Sequence, residues 1–358
     1  MEKKEISEIR KLLKPESCVL TRIAGCYVSN EKEKVSKFKD AFLSVPEEEM
    51  FKYFDLFRKA FSGKIGKTLH NMEFPAKEQD QRHKLLMALK AEHLENNNTL
   101  DLFYNSVIEN YDTTDNYMIL LVHGTYDIPG KSAAGEDEKW SEEVYEHILC
   151  LFCPVTLDKA SLALKDDKSN LRCKNRDWVI EAPKHAFLFP TFDDRQENVS
   201  GMLFYTKKSD DLQETFLNEM FGVSYLRPES EQKKVIAETL EAASINFEQL
   251  TELKDKTYEM QEANDVIDSK EMEKLCSMCG IDASGMSNMM DSQGCKKVML
   301  SNTIDSEKTT IDTGNVTLKL KNDDLHNLEL RKVDGRNCIV IHISNQVVMD
   351  GIPIKVGE

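Results

Sequence analysis

The chain has 358 residues, with 47 Lys plus Arg against 63 Asp plus Glu, a formal net charge of −16. A 40% apolar content is too high for a disordered chain, and no run of about 18 apolar residues is present to span a membrane. The N-terminus, Met-Glu-Lys-Lys-Glu, lacks an apolar signal core, and nine cysteines are an odd count, so a reducing cytoplasm with free thiols is expected.

The charge is unevenly spread. Residues 1–67 carry 15 Lys/Arg and 11 Asp/Glu, a net of +4, whereas residues 228–291 carry 6 Lys and 15 Asp/Glu, a net of −9. A uniformly acidic chain would repel nucleic acid. The asymmetry leaves a basic N-terminal region open to it.

In chain order, Ile6, Ile9, Leu12 and Leu13 fall at helical spacing, and Pro15 stops that helix. Cys18 to Val28 reads as a strand with a bulge at Gly25, and Lys32 to Phe42 as a helix. Ser44 and Pro46 look like cap residues for a helix over Glu47 to Phe61. Its Met50, Phe54, Phe57 and Phe61 share one core-facing stripe. Further helices are expected near Gln79 to Leu94 and Thr99 to Tyr111.

Tyr117 to Thr125 is a nearly continuous apolar run, the mark of a central strand, and Val144 to Val155 resembles a second. Shorter strands follow at Ala160 to Leu164, Trp178 to Glu181, Ala186 to Phe189 and Met202 to Tyr205. Turn residues between them, without βαβ alternation, point to a mixed or antiparallel sheet. Pro228 to about Met290 is helical and Glu-rich. After Ser301 come four short strand runs, with Asn345 among the residues that punctuate them and Asp334-Gly335 as a hairpin turn. The expected fold class is α+β, in three parts: a core of residues 1–226, an acidic helical segment of 227–303 and a small β-meander of 304–358.

Candidate chemistry is sparse. Gly66-Lys67-Thr68 matches the end of a phosphate-binding loop, but Phe61 stands where its first glycine belongs, and a helix precedes it instead of a strand. Gly63 and Gly66 with Lys64 and Lys67 also match the clamp by which some modules grip a nucleic-acid backbone; a helix cap followed by a turn accounts for Gly63 equally well. His123 and Asp127 stand at the end of the best strand, and Asp193-Asp194-Arg195 and Arg176-Asp177 beside later ones. His with Asp can act as base and orienter, and paired Asp can hold Mg²⁺ or Mn²⁺. Strand-end turns and local salt bridges compete with both roles. Cys150/Cys153 and Cys276/Cys279 are two Cys-x-x-Cys pairs, the donor set of a zinc site. The first pair sits inside an apolar strand, where a three-residue offset points the thiols to opposite faces. Met286, Met289 and Met290 form a soft cluster suited to an irregular core.

Several segments together resemble one family. They are Lys3-Lys4-Glu5-Ile6, Thr21-Arg22-Ile23 with Gly25-Cys26-Tyr27-Val28, Ala41 to Ser44, and Glu49-Met50-Phe51-Lys52-Tyr53-Phe54. Asn71 to Pro75, Tyr126 to Lys131, Ile148 to Cys150, Cys153 to Val155 and Arg176 to Val179 complete the set. Over nearly the whole chain these resemble the bacterial family known as domain of unknown function 4317, found mainly in Firmicutes. The resemblance implies a bacterial cytoplasmic protein and supplies no activity.

With no complete catalytic motif, the leading expectation is a non-catalytic binding or regulatory protein. Its partner is expected to be protein, with nucleic acid possible at the basic N-terminal region and no membrane. The alternatives are a metal-assisted, phosphate-directed hydrolase or nuclease using His123, Asp127, Asp193 and Asp194, or RNA contact through Lys64 and Lys67. No cofactor is expected, apart from a divalent metal under the hydrolase reading.

Overall fold

The structure is a computed structural model. It describes residues 1–75, 80–131, 137–138, 143–164, 170–305, 308–343 and 346–355. The chain divides into two compact units, Met1–Pro228 and Glu229–Glu358. The second unit holds both the acidic helices and the C-terminal strands.

The first unit is built on a nine-stranded sheet. Its strands are β1 (Leu20–Val28), β2 (Lys34–Ala41), β3 (Leu69–Glu73), β4 (Tyr117–Asp127), β5 (Val144–Leu157), β6 (Trp178–Ile180), β7 (His185–Phe189), β8 (Gly201–Thr206) and β9 (Ser224–Tyr225). The order is β9-β3-β8-β7-β5-β4-β1-β2, with β6 pairing the far end of β5. Every pairing is antiparallel. The two apolar runs of the sequence are the central pair, β4 and β5, in register from Tyr117 opposite Pro154 to Asp127 opposite Val144.

Side chains alternate across that sheet, so each central strand feeds two cores. Ile119, Leu121, Ile148, Cys150 and Phe152 point to one side, under α3 (Gln81–Ala91), α4 (Asn97–Asn110) and the turn of helix at 214–221. Leu120, Val122, Leu149, Leu151 and Cys153 point to the other, under α1 (Lys3–Leu12) and α2 (Glu47–Lys59). Both faces are therefore covered, which is why the central strands read as unbroken apolar runs. The stripe on α2 behaves as its spacing predicts: Phe54, Phe57 and Phe61 are buried, and Phe42 meets Phe54 edge-on at 5.5 Å.

Three local expectations are corrected. Residues 34–41 form strand β2, not a helix. Val35, Phe38 and Phe42 mimic helical spacing, but the Phe38 ring lies over Gly25 of β1, where a Cβ would stand only 2.2 Å from it. That contact favours the strand. It also explains Gly25, which is no bulge: the register shifts fall at Tyr27/Val28 and Leu20/Arg22. Ser44 lies in a 3₁₀ turn, and the N-cap of α2 is Pro46. The helix expected from Gln79 begins at Gln81; Gln79 itself is outside the described residues, as is Asn345.

In the second unit, helices Glu229–Ala242, Phe247–Ala263, Ser269–Met278 and Met286–Ser292 enclose a core that includes Cys276, Cys279, Cys295, Met272, Met286 and Met290. Residues 227–303 are not purely helical, because Val266–Asp268 pairs with Lys297–Met299. Among the described residues, the expected meander is three separate two-stranded hairpins. The Asp334-Gly335 turn has φ of +50° and +78°, the primed geometry its sequence favours.

One glycine has a measurable consequence. Gly124 on β4 faces His147 on β5, and a Cβ there would sit 2.7 Å from the imidazole and 3.1 Å from Leu20. The ring is fully buried against Tyr145 at 4.9 Å and has little room to yield. Gly124→Val is therefore expected to lower the urea-unfolding stability by about 1–3 kcal/mol. An unchanged midpoint would show that the strand shifts to absorb the methyl groups.

Candidate functional site

At the rim of the sheet, on the α3/α4 side, three groups from three elements converge. His123 comes from β4, Glu146 from β5, two residues before Ile148 on the same face, and His93 from the corner after α3. One ligand-capable atom from each lies within 4.8 Å of the others. His93 Nε2 is 3.6 Å from Glu146 Oε1, and the His93 and His123 rings are 4.7 Å apart between centroids. The corner is locally strained, with φ of +50° at His93 and +58° at Leu94, so the chain turns sharply and projects His93 toward the strands.

The cluster runs from buried to open. His123 is 1% exposed, Glu146 is half-buried and the His93 side chain is 53% exposed. Thr21 Oγ1 lies 2.6 Å from His123 Nδ1 and 3.3 Å from the His123 carbonyl. With the hydroxyl proton directed to that carbonyl, the Thr21 oxygen accepts from Nδ1–H, which leaves the Nε2 lone pair bare. His123 Nε2 is indeed buried without a hydrogen-bond partner. Burial lowers the His123 pKa to about 4, and the neighbouring His93, Lys90 and Arg22 push the same way. Lys90 is paired with Glu197 and Arg22 with Glu95, so each flanking cation has its own carboxylate.

The other expected site residues lie elsewhere. Asp193 accepts from the N-terminal ammonium, from Thr191 Oγ1 at 2.7 Å and from Asn198 Nδ2 at 2.8 Å. Met1, whose ammonium it binds, belongs to the core on the α1/α2 side, so Asp193 is engaged on the face opposite His123. Asp194 and Arg195 form a left-handed turn; the Asp194 amide donates to Glu5, and Arg195 pairs with Glu8 at 3.1 Å. Asp127 is exposed at the end of β4. The structure thus keeps His123 in a cluster and does not bring the Asp193 carboxylate into it.

Lys64 and Lys67 lie in the loop between α2 and β3. Its amides are already engaged: those of Lys67, Thr68 and Leu69 donate to the Lys64 carbonyl at 3.1–3.2 Å, and that of Gly66 to the Leu69 carbonyl at 2.7 Å. Gly63 has φ of +110° and packs on Thr68 Oγ1. A phosphate cradle needs such N–H groups open. Cys150 and Cys153 point into the two opposite cores, and Cys276 and Cys279 are buried in the second unit. All nine cysteines are free, and burial raises the Cys276 thiol to about 12.

Sequence reasoning missed His93 and Glu146. Glu146 carried a signal, a charged residue just inside an otherwise apolar strand. His93 carried none, because its role depends on the fold of the corner.

These features define an α+β protein whose covered antiparallel sheet holds a histidine–carboxylate cluster at its rim. The chain belongs to the family described as a domain of unknown function (DUF4317), whose model matches residues 1–352. Neither a curated protein nor a solved structure matches it. No helix among the described residues is long and apolar enough to cross a membrane.

Proposed function

We propose that this is a non-catalytic binding or regulatory protein of the bacterial cytoplasm, with the rim cluster as its ligand-binding centre and other proteins as its partners. The observation that carries the reading is the separation of the two groups that metal-assisted phosphoester hydrolysis would need together, His123 and Asp193. General acid–base chemistry needs its groups within hydrogen-bond reach of one reacting atom. His123 lies on the α3/α4 side, while Asp193 neutralises the N-terminal ammonium on the other. Free buried thiols agree with a reducing compartment.

The rival reading, metal-assisted phosphoester hydrolysis, gives the test. Purified protein is assayed on p-nitrophenyl phosphate, its bis-ester and single-stranded RNA with Mg²⁺ or Mn²⁺. The expected rate equals the metal-only background and is unchanged in His123→Ala and Asp193→Asn. Turnover abolished by either substitution would overturn the proposal.

A further inference from the structure

Resting on the reading of the rim cluster as a ligand centre, we infer that its ligand is a divalent first-row transition metal, held by His93, His123 and Glu146. Two imidazoles and one carboxylate are borderline donors, suited to Zn²⁺, Co²⁺ or Fe²⁺ and unlike the all-oxygen sets of Mg²⁺ and Ca²⁺.

Four observations carry it. First, His123 Nε2 is a buried acceptor without a partner, which is costly unless something fills the place. Second, the ring is already fixed through its other nitrogen by Thr21, as metal-ligating imidazoles are fixed by an outer hydrogen bond. Third, the spacing is close to a coordination sphere. Two donors about 2.1 Å from a tetrahedral ion stand about 3.4 Å apart, and His93 Nε2 and Glu146 Oε1 stand at 3.6 Å. The remaining separations are at most 4.8 Å; rotation of the exposed His93 side chain shortens the one to His93, and rotation of the half-buried Glu146 side chain the one between Glu146 and His123. Fourth, Lys90 and Arg22 are each neutralised by a carboxylate, so the ion does not meet two bare cations. Three protein ligands leave at least one coordination position toward solvent, where His93 is open.

The test is metal binding by the full chain after dialysis against chelator, read by Zn²⁺ competition with a chromophoric chelator and by the Co²⁺ absorption spectrum. One equivalent is expected per chain, with a Co²⁺ spectrum free of thiolate charge transfer. His93→Ala, which alters an exposed side chain and leaves the core intact, and Glu146→Gln are each expected to weaken binding at least 10-fold. Thr21→Val, which keeps the ligands and removes the orienting oxygen, is expected to weaken it about 10- to 100-fold. Failure to bind Zn²⁺ or Co²⁺ overturns the inference, as does stoichiometric binding that survives His93→Ala and Glu146→Gln, which would place the ion at cysteines. The hydrolysis assay judges the functional reading separately: turnover with an intact metal site would remove that reading alone, and no metal with no turnover would remove only this inference.

Discussion

Between about pH 6.5 and pH 4, measured in chelator so that only protons bind, the Met1–Pro228 unit is expected to lose several kcal/mol of stability. His70 and His147 fold as neutral imidazoles. Burial lowers the His70 pKa to about 4, partly opposed by its hydrogen bond to the Lys67 carbonyl at 3.0 Å. Burial, with the charge of His123 as a smaller contribution, lowers His147 to about 3. The unfolded chain titrates these rings near 6.5, so below that pH it binds more protons than the folded chain and stability falls with pH. At about 1.4 kcal/mol per pKa unit, the shifts amount to about 3 kcal/mol for His70 and about 5 for His147. Their sum is comparable to the whole stability of an ordinary domain, about 5–15 kcal/mol. The carboxylates act in a different window. In Asp193 burial raises the pKa, but hydrogen bonds from the N-terminal ammonium, Thr191 and Asn198 outweigh it and hold the group below its usual value. Its contribution is therefore lost only as pH falls below about 4. Urea unfolding at a series of pH values separates the two. His147→Phe, which keeps a ring against Tyr145, is expected to reduce the loss in the upper window by about half, leaving that of His70. A stability flat from pH 7 to about pH 4.5 would contradict the account.

Glu197→Ala is expected to cost about 3 kcal/mol. Its partner Lys90 has a side chain only 10% exposed, and Glu197 itself is 24% exposed. Removing one member of a buried pair leaves an uncompensated charge, at about 3–5 kcal/mol in a fully buried setting and somewhat less here. Lys90→Met alone is expected to cost less, because it removes the ammonium and keeps the packing of the stem. Combining it with Glu197→Leu should recover most of the loss, a coupling that a double-mutant cycle reads directly. A Glu197→Ala protein within 0.5 kcal/mol of the parent would mean that water reaches Lys90 and the pair contributes little.

How far the sequence could be read depended on whether the deciding interaction was local. The apolar runs at 117–125 and 144–155 marked the central strands because both faces of the sheet are covered, leaving no polar alternation to confuse the reading. The opposite orientation of Cys150 and Cys153 followed from the period of a strand, and their two separate cores agree. Residues 34–41 were misread because an edge strand rich in lysine has little buried pattern, and its deciding contact, Phe38 over Gly25, is tertiary. The site divides the same way. His123 was visible at a strand end. Its partners His93 and Glu146 lie 30 residues before it and 23 after it, and no spacing rule links a helix corner to two strands. The flanking pairs Lys90–Glu197 and Arg22–Glu95 join segments more than 70 residues apart and were likewise invisible.

The central claim is that the orphaned Nε2 of His123 faces a metal. Anomalous diffraction from crystals grown with Zn²⁺ tests it most directly. The expected result is one strong peak about 2.0–2.2 Å from His123 Nε2, with His93 and Glu146 completing the set. Strong peaks only at cysteines, or none at the rim in crystals saturated with zinc, would contradict it.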